Sequence, residues 1–114
     1  MLFRSRVPVI DEKYPESFRQ LVEEYINLNL AEFENGSMSG WYRKLKMRFK
    51  RRKYMMQKIR HEANMLHNGT YEQRIIRASL IFDQRREAMG LSTTAYRGVL
   101  ENHDPSIPKR QRTA

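Results

Sequence analysis

The chain of 114 residues contains no cysteine. Disulfides, thiolate metal sites and cysteine nucleophiles are therefore excluded, and the absence fits a reducing compartment. No uninterrupted apolar run approaches the roughly 18 to 20 residues that cross a bilayer. There is no Gly-rich phosphate loop, no zinc-ligand spacing, and no Ser-His-Asp or paired-carboxylate arrangement with supporting context. The sequence thus predicts no enzyme, no metal and no cofactor. Internal repeats and sustained heptads are missing, and no segment alternates as a half-buried strand does, which leaves an all-α class. A mean hydropathy of -0.82 with 39% hydrophobic residues supports a modest core in one small domain over residues 1–114. That hydropathy is low for a self-sufficient globule, and because long helices with charged faces rarely close a core alone, the expectation is a chain that leans on neighbours for part of its burial.

The most informative absence is of acid. Between Gly40 and Arg60 there is no Asp or Glu, but there are ten Lys and Arg: Arg43, Lys44, Lys46, Arg48, Lys50, Arg51, Arg52, Lys53, Lys58 and Arg60. The net charge of +9 resides in this stretch, because the rest of the chain is close to neutral. Like charges at this density repel one another unless an anionic partner lies against them, so all ten are assigned to binding nucleic acid, anionic lipid or an acidic protein surface. The interleaved Trp41, Tyr42, Phe49 and Tyr54 suit stacking on RNA bases. They equally suit a helix docked on protein with its cations at a headgroup or rRNA surface. The ordinary alternative is a solvated helix face. Lys50-Arg51-Arg52-Lys53 and Lys109-Arg110-Gln111-Arg112 also pass as nuclear localisation signals, a pattern with many false positives.

Residues 1–39 carry four basic and seven acidic residues, so the sign of charge changes at Gly40. Met1 to Arg6 has the basic and apolar character of a targeting segment, but Asp11, Glu12 and Glu16 follow too soon for an acid-poor transit peptide. Residues 1–13 read as an extended arm. Pro15 and Glu16 make a first helical turn, and Phe18, Leu21, Val22, Tyr25, Ile26, Asn29 and Phe33 recur at helical spacing until Asn35-Gly36, giving a helix over about 15–34 with Glu23, Glu24, Glu32 and Glu34 outward. A second helix runs over 41–66 with a thin seam of Tyr42, Leu45, Phe49, Met56, Ile59, Ala63 and Leu66, interrupted at Arg52. That seam is too narrow to bury the helix alone. Thr70-Tyr71-Glu72-Gln73 is a capping box opening a third helix over 71–89, ended by Gly90. Its face is Tyr71, Ile75, Ala78, Phe82 and Met89, broadened by Ile76, Leu80 and Ile81. Ser92 caps a short fourth helix with Tyr96, Val99 and Leu100. Residues 103–114 have no packing pattern and read as an extended basic tail ordered on a partner.

Three weaker signals have simple explanations. His61 and His67 are six apart, off the i, i+4 spacing of a helical metal pair. Asn68-Gly69-Thr70 matches a glycosylation sequon, yet capping accounts for the threonine. Met47, Met55 and Met56 suit a soft binding surface, but core filling at helical spacing suits them better.

Two segments, Tyr42-Arg43-Lys44-Leu45-Lys46-Met47-Arg48-Phe49 and Gln73-Arg74-Ile75-Ile76-Arg77-Ala78, carry a family resemblance. They resemble the small matrix-side accessory subunit of the mitochondrial cytochrome bc1 complex, the subunit 7 family, over about residues 41–101. That family places an acidic pair where this chain has Lys50-Arg51, and Leu-Pro steps where it has Leu66-His67 and Leu91-Ser92; residues 1–40 do not match. The resemblance implies a helical, non-catalytic subunit of the respiratory chain, peripheral on the matrix side of the inner membrane beside cytochrome b and without a redox centre. It makes Tyr42, Leu45, Phe49, Arg74 and Arg77 subunit contacts. The cationic stretch would then rest near anionic lipid such as cardiolipin, each cation contributing about 1 kcal/mol.

Gly40-Trp41-Tyr42 opening a basic helix, with Gly90-Leu91-Ser92 after a later one, also resembles a bacterial-type large-subunit ribosomal protein built of long basic helices. That family is basic from its first residues, whereas residues 1–39 here are net acidic. The sequence therefore predicts a non-enzymatic structural subunit of a large mitochondrial assembly, the bc1 complex first. An rRNA-binding mitochondrial ribosomal protein is the alternative, and a small basic nucleic-acid-binding regulator comes third.

Overall fold

Among the described residues, three of the four α-helices start where a side chain holds an otherwise unpaired first-turn N–H group. The computed structural model describes residues 7–107; the Met1–Arg6 segment and the Lys109–Arg112 cluster lie outside the described residues. The first helix, α1, is Phe18–Asn27, and Ser17 Oγ caps it by accepting from the Gln20 N–H at 3.0 Å. Pro15 and Glu16 lie before the cap. Asn29 takes a left-handed conformation (φ 52°), which ends α1 and leaves only a 3₁₀ turn at Leu30–Phe33. The expected single helix over 15–34 is therefore a helix, a break and a turn, because Asn tolerates the left-handed region that most residues avoid.

The second helix, α2, is Arg43–Asn64, and α3 is Tyr71–Ala88. Both halves of the predicted capping box form: Gln73 N–H donates to Thr70 Oγ1 at 3.1 Å, and Thr70 N–H donates to Gln73 Oε1 at 2.9 Å. Gly69, at φ +90°, belongs to this device, since a Cβ there would lie 2.7 Å from that same Gln73 Oε1. Ser92 caps α4, Thr93–Asn102, by accepting from the Ala95 N–H. Of the four α-helices among the described residues, α2 alone starts without a side-chain cap, and its first turn carries no acid.

Among the described residues every regular element is helical. The helices α2 and α3 form a hairpin whose facing surfaces make the largest contact, α1 lies across both, and α4 packs on α3. Two aromatic groups anchor them. Phe18, Phe82 and Tyr96 meet edge-on with centroids 5.9 to 6.2 Å apart, joining α1, α3 and α4. Phe49 meets Trp41 at 5.5 Å and Tyr25 at 6.5 Å, joining α2 to α1 and to the turn before it. Such pairs add about 0.5 to 1.5 kcal/mol each beyond the area they bury.

The polar members of the core correct several expectations. Arg52, expected to interrupt the α2 seam, is 1% exposed and completes it between Phe49 and Met55–Met56. The buried face of α2 is thus Leu45, Phe49, Arg52, Met55, Met56, Ile59 and Ala63, while Tyr42 at its start is exposed. The chain covers this seam itself, so the seam is not the shortfall that the sequence suggested. Glu24 and Glu34, expected to point outward, turn towards α2. On α3, Tyr71, Leu80 and Met89 are exposed, and the buried face instead includes Ser79 and Asp83. Asp83 accepts from the Phe18 and Arg19 N–H groups at 2.8 and 3.1 Å, a second cap for α1 supplied from 65 residues away. At the other end Asp104, placed by sequence in a loose tail, is buried and accepts from the Tyr54 hydroxyl at 2.8 Å.

Candidate anion-docking surface

A helix turns 100° per residue, so ten cations spread over 43–60 cannot share one face. Four of them meet carboxylates of the same chain. Arg52 Nε donates to Glu24 at 2.5 Å, Arg60 Nη1 to Glu34 at 2.9 Å and Lys58 Nζ to Asp104 at 3.0 Å, while Arg48 faces Glu12 at 3.8 Å. The guanidinium of Arg52 uses four of its five N–H groups, since it also donates to the carbonyls of Asp11, Lys13 and Arg48, and it lies 5.4 Å over the Tyr14 ring. It ties the N-terminal segment and α1 to α2. A cation held in this way is not available to an outside anion.

Arg60 is the centre of a second tie. Glu34 also accepts from the Tyr25 hydroxyl, at 2.5 Å. Burial works to raise the Glu34 pKa, but the hydrogen bonds from Arg60 and Tyr25 outweigh it and hold the carboxyl below its ordinary value. The Tyr25 phenol is pushed up, chiefly by burial and then by Glu34. The Asp104 carboxyl is held well below the usual range by the Ser106 hydroxyl and N–H, with Lys58 and Tyr54 adding to them.

The remaining six, Arg43, Lys44, Lys46, Lys50, Arg51 and Lys53, form no ion pair among the described residues. Lys53 is half-buried and its field reaches Glu34. The others follow the outer side of α2, with Lys46 half-buried and Arg43, Lys44, Lys50 and Arg51 exposed around Met47. Their placement also defies the helix dipole: Arg43, Lys44 and Lys46 occupy the first turn, where cations cost about 0.3 to 1 kcal/mol each and anions are favoured. An external anion here relieves both the mutual repulsion and the dipole mismatch.

Beside this ridge, Glu12, Arg43, Lys44, Met47, Arg48 and Arg51 line an open cleft of about 430 Å³. Arg48 forms its inner wall. Its Nη1 donates to the Ile10 carbonyl at 3.1 Å and to the Tyr42 hydroxyl at 3.3 Å, and its carbon Cζ lies 6.0 Å from the Tyr42 ring centre.

The aromatic half of the sequence pattern is placed differently. Trp41 and Phe49 are buried and Tyr54 is half-buried with its hydroxyl on Asp104, so of these four only Tyr42 is exposed, and it is already engaged by Arg48. The five residues expected as subunit contacts are not brought together. Leu45 and Phe49 lie in the chain's own core, each 1% exposed. Tyr42 precedes α2, whereas Arg77 bonds the carbonyls of His67 and Asn68 at the opposite end of that helix, about 30 Å away along its axis. Arg74 Cζ lies 5.7 Å from the centre of the Tyr71 ring. Met55 and Met56 are core residues and Met47 is exposed.

Among the described residues no three metal-ligating side chains gather, and no helix is long and apolar enough to cross a membrane. Glu24, Glu34, Asp83 and Asp104 were the side chains that sequence reasoning missed as partners; only their acidity, opposite a basic stretch, hinted at it. No family model, no curated protein and no solved structure matches this chain.

Proposed function

We propose that this chain is a non-catalytic helical subunit of an RNA-containing assembly, of the mitochondrial ribosomal kind, which docks the outer side of α2 on the phosphate backbone of duplex RNA. The observation that carries this reading is the division of α2. Its apolar side is buried in the chain's own core, and its outer side presents Arg43, Lys44, Lys46, Lys50 and Arg51 without carboxylate partners among the described residues. A helix that binds a bilayer surface normally inserts a broad apolar face, and the outer side of α2 offers only Met47, with Tyr42 just before it. With Trp41 and Phe49 buried, base stacking is not what holds the RNA. Charge on a sugar–phosphate backbone remains, and that contact is strong, salt-sensitive and indifferent to sequence.

A second reading, the accessory subunit of the cytochrome bc1 complex resting on lipid phosphates, is favoured by one observation. Tyr42 and Met47, 57% and 41% exposed, stand among the cations as amphipathic side chains do at headgroup level. Fluorescence anisotropy with a mixed-sequence RNA duplex, beside flotation with vesicles containing cardiolipin, separates the two. The expected outcome is duplex binding that does not depend on base sequence, with little flotation at physiological salt. Flotation without duplex binding would reject the RNA reading in favour of the respiratory one.

A further inference from the structure

The cleft beside α2 differs from the ridge around it in holding an arginine that is already positioned. Arg48 is only 20% exposed at its side chain. Two acceptors, the Ile10 carbonyl and the Tyr42 hydroxyl, fix one arm of its guanidinium. The other arm, Nη2, has no hydrogen-bond acceptor among the described residues; its nearest carboxylate is Glu12 at 3.8 Å, beyond hydrogen-bond reach. Glu12 itself is 89% exposed at its side chain, so at 3.8 Å it screens the guanidinium without ligating it. Arg43, Lys44 and Arg51 line the same cleft, which is large enough for a phosphate and its flanking sugars.

We infer that this cleft is a seat for a single backbone phosphate, ligated by Arg48 Nη2 with Arg43, Lys44 and Arg51 around it, and that Glu12 occupies the entrance and is displaced when the phosphate enters. The inference rests on the RNA-docking reading and deepens it: the ridge supplies diffuse attraction, and the seat sets the register of the protein along the backbone. Pre-positioning matters because a guanidinium held by Ile10 and Tyr42 loses little freedom on binding, unlike the long exposed side chains of Lys50 or Lys44. Glu12 makes the seat selective, since only an anion that binds Arg48 better than a loosely held carboxylate gains entry.

The test is duplex-RNA affinity of the full chain at fixed salt with three substitutions. Glu12→Gln removes the competing charge and is expected to tighten binding by about fivefold. Arg48→Gln is expected to weaken it by about tenfold or more, against about threefold for Lys50→Gln, which removes the same charge from the ridge outside the cleft. Arg48→Lys, which keeps the charge but loses the forked geometry, also weakens binding more than Lys50→Gln does, and circular dichroism checks that each variant stays helical. Should Glu12→Gln leave affinity unchanged and Arg48→Gln weaken it no more than Lys50→Gln, the seat is wrong while the RNA reading stands. Should the unmodified chain bind no duplex, both are wrong.

Discussion

Arg51 and Arg52 are neighbours in sequence and opposites in the structure. Arg51 is exposed and has no ion pair among the described residues; Arg52 is 1% exposed, bound to Glu24 and to three carbonyls. The same contrast runs along the whole helix. On the inner side Arg52, Lys58 and Arg60 hold carboxylates from α1, the turn after it and the segment after α4. On the outer side Arg43, Lys44, Lys46, Lys50 and Arg51 meet none. A run of cations is thus not one functional unit. Helical phase divides it into a structural set and a docking set, and 100° is enough to move a residue from one to the other.

Removal of Arg52 should give the largest effect. Arg52→Met leaves Glu24 without its partner and the Asp11 and Lys13 carbonyls without the donor that holds them, and breaking a buried pair by removing one member costs about 3 to 5 kcal/mol. Urea unfolding measures this. A loss within about 0.5 kcal/mol would place Arg52 with the docking set and erase the contrast. Next in size is the response to acid. The Glu34 and Asp104 carboxyls both have folded pKa values below their ordinary ones. Their stabilisation is therefore complete above the ordinary carboxylate range near 4, and is lost as pH falls through the depressed folded values. The urea midpoint should hold from pH 7 to about 5 and drop below about 4. In Glu34→Gln that drop should be shallower, from a lower starting point, and an unchanged drop would show that other carboxyls control it.

Much of this arrangement is legible in sequence where the cause is local. The capping box at Thr70 and Gln73, the Ser92 cap and the stop at Gly90 are each contained within a few residues, so pattern alone places α3 and α4, and α2 to within about two residues. What sequence misses is remote or conformational. The role of Arg52 needs Glu24 and the Asp11 and Lys13 carbonyls, 28 to 41 residues earlier. The second cap of α1 needs Asp83 from α3. The break of α1 at Asn29 is a choice of backbone region that helical spacing of Ile26, Asn29 and Phe33 conceals. Burial of Trp41 and Phe49 follows from the same cause: an aromatic beside a cation looks identical in sequence whether it faces solvent or Tyr25.

The smallest expected effect on stability comes from the outer side. Replacing Arg43, Lys44, Lys50 and Arg51 together by Gln should change the unfolding free energy by no more than about 0.5 kcal/mol in total, relief of repulsion included. The decisive measurement is duplex-RNA affinity against salt for the native chain and this variant. The native chain should lose affinity linearly in log–log form with a slope of about -4 to -5, as counterion release from about five neutralised phosphates requires, and the variant, which keeps Lys46 and Arg48, should retain a slope of about -1 to -2 at unchanged stability. A native slope near zero, or a variant whose slope matches the native one, would contradict the claim that the outer side of α2 is the docking surface.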